Sequence, residues 1–363
     1  MMRVHLIFIG NKFIYNTPLK EYILREAKKS CGFINTVTYF KESDNSLFLY
    51  LQDIVNTNST LLIVANKQNF STVGKLISTI TADNQVLKAD MLVPSRVENF
   101  AQRSYLLEYQ DSVINVISMD EMQKIPTILI SSQNSSTTIH IFDETKESTF
   151  ALLTPIAQTY DVYIDTTEII EGWIRVDIDT KKYGNISKFV VSAKKLFFKK
   201  MIDKADVVEY IIEKLHQNNK KITFAESCTG GLLSYYFTSK NGASTVLDGS
   251  LVTYCNKLKE NWLAVDDGVI QRVGAVSSEV VEEMSEGAIN VSGADFAISI
   301  SGIAGESGGT KEKPVGTVYV GIRSKTQHKE ELLRLSGDRN YIQHQSVLFS
   351  LKMLLFIDKE IFF

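Results

Sequence analysis

The run "AESCTGG" at residues 225–231 sets a carboxylate, two candidate nucleophiles, a threonine and two glycines side by side. The strand-like "KITFA" leads into it and the helix-like "LLSYYFTS" leaves it, so Glu226 to Gly231 is predicted to form a strand-to-helix turn. Such a turn aims its side chains and the first free N–H groups of the helix at one point in space. A nucleophile there, Ser227 or Cys228, can attack a carbonyl while N–H groups from Thr229, Gly230 and Gly231 hold the oxyanion. Each such donor contributes ~3–4 kcal/mol in well-characterised enzymes. The same residue types also cap helices, and the motif alone leaves both readings open.

A serine nucleophile needs a base. From residue 203 onward the chain offers His216, His328 and His344, which the patterns place on a helix, a strand and a helix, so no Ser-His-Asp triad is evident. Lysine is the other option. "TYCNKLK" at 253–259 puts Tyr254 and Cys255 at a strand end and Lys257 and Lys259 on the next turn. A lysine taken out of water loses basicity and can then accept a proton, with a tyrosine to relay or orient it; a plain surface lysine is the competing reading. The segment "SISGIAGESGGTKEKPVGT" (299–317) carries Ser301, Gly302, Gly305, Gly308 and Gly309, a density that lets N–H groups converge on an anion, or that serves a surface loop. It is not a phosphate loop of the nucleotide-triphosphatase kind, because no lysine-hydroxyl pair follows the glycines. In "GDRNY", Arg339 opens a helix where it can meet phosphate or carboxylate, with Asp338 as its N-cap.

The elements that must position these groups follow from composition and periodicity. The chain has 363 residues, 44% of them apolar, which predicts more than one core. The net charge of −3 gives no basic footprint for nucleic acid. No run approaches the ~18 apolar residues needed to cross a bilayer, and "MMRVHLIFIGNKF" reads as a first strand rather than a leader, so a cytoplasmic protein without membrane association is expected. Three cysteines without pattern argue against a disulfide framework or a zinc site. Five of the 20 glycines fall in residues 1–202, so the boundary between a glycine-poor and a glycine-rich part is set near 202. In the first part, "VHLIFIG", "STLLIVA" and "IPTILIS" alternate with helical patterns such as "PLKEYILREAKK", which predicts βαβ units on a mainly parallel sheet. "SSQNSSTT" (131–138) is predicted to be a surface loop. The second part reads helix, strand, turn, helix, strand, helix, helix, strand, glycine loop, two strands and a closing helix from Arg339: an α/β sandwich. Its first helix presents Val207, Val208, Ile211, Ile212 and Leu215 on one face.

Taken in order, "AESCTGG", "VTYCNKLK", "GAVSSEVVEEM", "SISGIAGESGGTKEKPVGTVYVG" and "SGDR" resemble the C-terminal domain of the CinA family, the nicotinamide mononucleotide deamidases also called PncC, over about residues 203–358. The resemblance implies hydrolysis of the carboxamide of nicotinamide mononucleotide to nicotinate mononucleotide and ammonia, in pyridine nucleotide recycling, without metal or other cofactor. It implies Ser227 as nucleophile, Lys259 as general base, Tyr254 as its partner, and Ser301, the Gly302–Gly309 loop and Arg339 around the nucleotide. It also makes a homodimer the expectation. Two departures stand out: Glu306, where relatives carry proline, and Cys255, where they carry serine.

The first part resembles the family's N-terminal, molybdopterin-binding-like domain through "FIGNKFIYNTPLKEYIL". After "STLLIVA", however, the expected glycine- and aspartate-rich loop is "NKQNFSTVGK", which has no carboxylate to hold a cation. Loss of the metal-dependent ADP-ribose pyrophosphatase activity of that domain is therefore expected. The predicted organisation is 1–165 for this degenerate domain, 166–202 for a small linking subdomain and 203–363 for the deamidase-like domain. The alternatives are a surviving pyrophosphatase, or a non-catalytic partner in competence or DNA repair.

Overall fold

The computed structural model describes residues 3–130, 136–181, 183–305 and 308–363. The chain divides into two compact units, Met1–Ser136 and Thr137–Phe363.

In the first unit, β1 (Arg3–Ile9), β2 (Thr36–Phe40), β3 (Ser59–Ala65), β6 (Asn99–Ala101), β7 (Ser104–Tyr109) and β8 (Ser112–Ser118) form a sheet in the order β2-β1-β3-β8-β7-β6, and β4 (Gln85–Lys88) pairs with β5 (Met91–Pro94). The pairs β1/β2, β1/β3 and β3/β8 are parallel, as the βαβ reading requires. The crossover helices are α1 (Asn11–Tyr15), α2 (Thr17–Cys31), α3 (Leu47–Val55) and α4 (Lys67–Ile80). All seven residues of β3 are buried, which is what a central parallel strand covered on both faces needs. Asn16 and Asn66 cap α2 and α4 by accepting from Leu19 N (3.1 Å) and Asn69 N (2.9 Å).

The second unit holds two sheets. β9 (Ser136–Phe142), β10 (Val162–Ile170), β11 (Trp173–Thr180) and β12 (Met201–Ile202), with α5 (Lys146–Thr159) and α6 (Ile186–Leu196), form a four-stranded sheet in the order β10-β11-β9-β12. A boundary at residue 165 is therefore incorrect. Asp165 lies inside β10 and pairs with Asp177 across a hairpin whose turn is Glu171-Gly172, with Gly172 at φ 67°. The linking subdomain begins near residue 137 instead. Of the predicted loop at 131–138, residues 131–135 lie outside the described residues, and Ser136 already belongs to β9.

The other sheet has the order β14-β13-β15-β16-β17, with β13 (Ile222–Glu226), β14 (Leu247–Val252), β15 (Phe296–Gly302), β16 (Thr317–Ser324) and β17 (His328–Arg334). β13 runs parallel to both β14 and β15, and β16 and β17 complete the sheet antiparallel. Its helices are α7 (Val207–Gln217), α8 (Leu232–Thr238), α9 (Asn256–Leu263), α10 (Asp267–Val273), α11 (Ser278–Ser292), α12 (Arg339–Ile357) and α13 (Lys359–Phe362).

Alternation along β13 separates the two faces. Ile222 and Phe224 pack with Val208, Ile211, Leu215, Leu233, Phe237 and Val347 of α7, α8 and α12. Ala225 packs with Leu263, Val280, Met284 and Ala288 of α9 and α11 on the other side. The result is the three-layer α/β sandwich expected from the sequence. The predicted apolar face of α7 is buried at all five positions, each contributing roughly 1.5–3 kcal/mol of transfer free energy. Because the chain crosses from β13 to β14 on one side and later returns to β15 on the other, the C-terminal end of β13 is a topological switch point, where open α/β sheets leave a crevice. Among the described residues no helix is long and apolar enough to cross a membrane.

Candidate active site

Ser227 is the first residue beyond β13, and its neighbours hold it there. Its N–H donates to Ile300 O of β15 (2.9 Å), while Thr253 N, just past β14, donates to Glu226 O (2.8 Å). The chain then turns tightly, with Gly230 N donating to Ser227 O at 3.1 Å. Gly230 (φ 60°) and Gly231 (φ 99°) take left-handed conformations that swing the backbone into α8.

Glu226 explains why the turn is stable. Its side chain is fully buried, and its two oxygens accept from Gly231 N (3.1 Å), Leu233 N (3.0 Å), Ser234 N (2.9 Å), Ser234 Oγ (2.5 Å) and Ser250 Oγ (3.2 Å). A carboxylate at the positive end of α8 satisfies the donors that a helix start leaves open and complements the macrodipole. It also consumes them. With Gly230 N and Gly231 N both donating within the turn, these two glycines supply shape rather than oxyanion donors, which corrects the expectation drawn from the motif. Thr229 keeps an N–H without an acceptor among the described residues, and its buried hydroxyl has no hydrogen-bond partner either.

Lys259 reaches the turn from α9. Its side chain is 1% exposed, and Nζ lies 3.0 Å from Ser227 Oγ while donating to Thr253 O at 2.7 Å. No described carboxylate pairs with it, and burial pushes its pKa below the ordinary lysine range, with Cys228 and Cys255 pulling weakly the other way. A neutral amine held on a hydroxyl by a second hydrogen bond is placed to take the hydroxyl proton. Cys228 is not placed for that chemistry: it packs in the core shared with α7, α8 and α12, and burial pushes its thiol up to about 12.

Tyr254 is not part of this pair. Its side chain is 61% exposed and makes no hydrogen bond to Ser227 or Lys259; the preceding residue, Thr253, serves the lysine through its carbonyl. Ser301 is also placed differently from expectation. Its hydroxyl donates to Ala275 O (2.7 Å), so it ties β15 to the connector before α11. Lys313, which the sequence reading passed over, fastens the same connector by donating to Val273 O (2.6 Å) and Val276 O (2.7 Å).

The glycine loop divides by role. Gly302 and Gly309 are packing positions, where a Cβ would come within 2.7 Å of Val318 and of the Val315 backbone, and Gly308 has a left-handed φ of 99° in open space. At Gly305 a Cβ would lie 2.6 Å from Nη2 of Arg339, so the guanidinium rests on the Gly305 backbone. No described carboxylate neutralises Arg339, and its charge is close enough to act on the Cys228 thiol. Glu306 lies outside the described residues. One turn further along α12, Gln343 Nε2 donates to Cys228 O at 2.6 Å. The i, i+4 spacing from Arg339 was the available signal for this residue. Among the described residues one group, Glu282, His328 and Glu330, has the composition to gather on a cation; it belongs to α11 and β17, and Arg323 already contacts Glu282.

Residues 204–357 match the family model described as the CinA C-terminal domain. A protein of Clostridium novyi named as competence-damage inducible is 30% identical over 357 residues, covering 92% of this chain and 78% of its own length. The chain belongs to the CinA family. A CinA-like protein of Thermotoga sp. strain RQ2 is 44% identical over 146 residues, 40% of this chain and 36% of that one. A further relative from Thermoanaerobacter pseudethanolicus, also named as competence-damage inducible, is 37% identical over 190 residues, 52% of this chain. The chain matches less than half of that relative's length, 43%. Among solved structures, the competence/damage inducible protein CihA of Agrobacterium tumefaciens is 35% identical, with 42% of this chain and 94% of that chain covered and a TM-score of 0.41. In this CinA-family chain the Ser227 turn, Lys259, Gly305 and Arg339 all lie within the matched residues.

Proposed function

We propose that this protein hydrolyses the carboxamide of nicotinamide mononucleotide, releasing ammonia and nicotinate mononucleotide. The observation that carries the reading is the 3.0 Å approach of Lys259 Nζ to Ser227 Oγ in a buried site where no described carboxylate pairs with the lysine. Lys259 takes the proton of Ser227 as Oγ bonds to the carboxamide carbon. The carbonyl oxygen becomes an oxyanion, held by Thr229 N–H. Lys259 returns the proton to the amide nitrogen, the C–N bond breaks and ammonia leaves. Water then adds to the acyl-serine, its proton passing to Lys259 and on to Ser227 Oγ as nicotinate mononucleotide departs. The exposed Arg339 beside Gly305, with no described carboxylate against it, is suited to the substrate phosphate.

The test is ammonia release from nicotinamide mononucleotide by the purified chain, with and without EDTA, beside Ser227→Ala and Cys228→Ala. The reading requires activity indifferent to EDTA, abolished in the serine variant and retained in the cysteine variant. Full activity in Ser227→Ala contradicts it.

A further inference from the structure

Between residues 227 and 234 almost every backbone N–H has an acceptor. Ser227 donates to Ile300 O, Gly230 to Ser227 O and Leu232 to Thr229 O, while Gly231, Leu233 and Ser234 donate to Glu226. The N–H groups of Cys228 and Thr229 are left over, without an acceptor among the described residues. Of the two, Thr229 N–H is the one held through its own peptide. It belongs to the peptide plane whose carbonyl is Cys228 O, the acceptor of the 2.6 Å bond from Gln343 Nε2. In a trans peptide the C=O and N–H point in opposite directions, so fixing the oxygen fixes the direction of the hydrogen. A strong bond to the oxygen also polarises the amide and makes its N–H a better donor.

We infer that Gln343 is a positioning residue that aims and strengthens the Thr229 N–H as an oxyanion donor of the Ser227 site. This rests on the acyl-transfer reading of Ser227 but not on the identity of the amide. It also gives α12 two functions one turn apart. Arg339 meets the anionic end of the substrate, and Gln343 sets the donor at the reacting end, so a single helix start spans both halves of the ligand. Because Gln343 touches the turn and not the substrate, its removal acts on the chemical step rather than on binding.

Three variants test this: Gln343→Met, which keeps the length and removes the donor; Gln343→Glu, which sets a carboxylate against the carbonyl; and Gln343→Lys, which restores a donor. With nicotinamide mononucleotide, the Met variant is expected to lose about tenfold in kcat, a fraction of the ~10²–10³ that deleting a whole oxyanion donor costs. Its KM should stay within about twofold of wild type; the Glu variant should fall further and the Lys variant should recover most of the loss. The same ranking is expected in the rate at which a fluorophosphonate labels Ser227, read by intact mass, because the phosphoryl oxygen occupies the same hole. A wild type that labels at Ser227 in this ranking yet leaves nicotinamide mononucleotide untouched overturns the proposed substrate and keeps the role of Gln343. A Met variant within twofold of wild type in both assays overturns it, as does a change confined to KM, or a wild type that does not label at Ser227. Equal losses in the Met and Lys variants with matching drops in melting temperature reduce Gln343 to a structural contact and overturn it too.

Discussion

Replacing Glu226 by glutamine isolates what the buried carboxylate does for the Ser227 turn. The amide keeps the shape and one oxygen but loses the charge and gains two donors. If its nitrogen takes the place of Oε2, it faces Gly231 N–H and Leu233 N–H; if it takes the place of Oε1, the two serine hydroxyls can rotate to accept, but Ser234 N–H is left facing a donor. The better arrangement still strands one backbone N–H in a fully buried site, costing ~1–3 kcal/mol, and weakens the remaining charge-assisted bonds. Loss of the negative charge at the helix start adds ~0.3–1 kcal/mol. Together these predict roughly 3 kcal/mol of destabilisation, or about 6–12 °C in the melting temperature of a unit of this size. Both tryptophans of the chain, Trp173 and Trp262, lie in the unit Thr137–Phe363, so tryptophan fluorescence during urea unfolding reads that unit selectively. A Glu226→Gln protein whose unfolding midpoint matches wild type would refute the assignment of Glu226 as the anchor of the turn.

Arg339→Ala should raise KM for nicotinamide mononucleotide by about tenfold or more while changing kcat less, since a charge-assisted bond contributes ~1.5–3 kcal/mol; the unphosphorylated nucleoside should not distinguish the two proteins, and steady-state kinetics on both substrates checks this. His140 makes a separate prediction about acid. Its Nδ1 accepts from Trp173 Nε1 (2.9 Å) and its Nε2 bonds Ala205 O (3.1 Å), and burial first, with Arg175 adding, lowers its pKa to about 4, against opposing pulls from Ala205 O, Asp177 and Asp206. The folded value lies below the unfolded one, so the unfolded chain binds the proton first and stability falls as pH drops from about 6.5 towards 4, by at most roughly 3 kcal/mol. Urea titrations at pH 7 and 4.5 should show that slope in wild type and a shallower one in His140→Asn. ADP-ribose incubated with the chain and Mg²⁺ or Mn²⁺ should yield no AMP by chromatography. Lys12 already ion-pairs with Asp120 and Glu121, and Asp120 accepts from Lys67 N at the start of α4, where a phosphate would otherwise sit.

The parts of the site that depend on residue type were readable in advance, and the parts that depend on backbone direction were not. The family resemblance singled out Ser227 and Lys259, and the structure brings the two side chains within 3.0 Å of each other, one from the end of β13 and the other from α9, the helix after β14. Tyr254 misled because successive residues at a strand end point to opposite sides: the lysine meets the carbonyl of Thr253 and the tyrosine ring faces solvent. The glycines suggested free N–H donors, but nothing in "AESCTGG" says that Glu226 folds back to occupy that of Gly231. Gln343 acts across more than a hundred residues of sequence, and only the packing of α12 beside the turn makes its role visible. The boundary at 165 failed for a simpler reason: it falls inside β10, which pairs with β11 in one hairpin and cannot be divided from it.

The most direct test of the Ser227–Lys259 pair is the pH dependence of Ser227 labelling by a fluorophosphonate, followed by intact mass and peptide mapping in wild type and Lys259→Met. The rate in wild type should rise with pH and level off below the ordinary lysine pKa, since burial favours the neutral amine, and the Met variant should label slowly at every pH. Label on Cys228, or a Lys259→Met profile that follows wild type, would contradict the claim that a neutral buried lysine activates this serine.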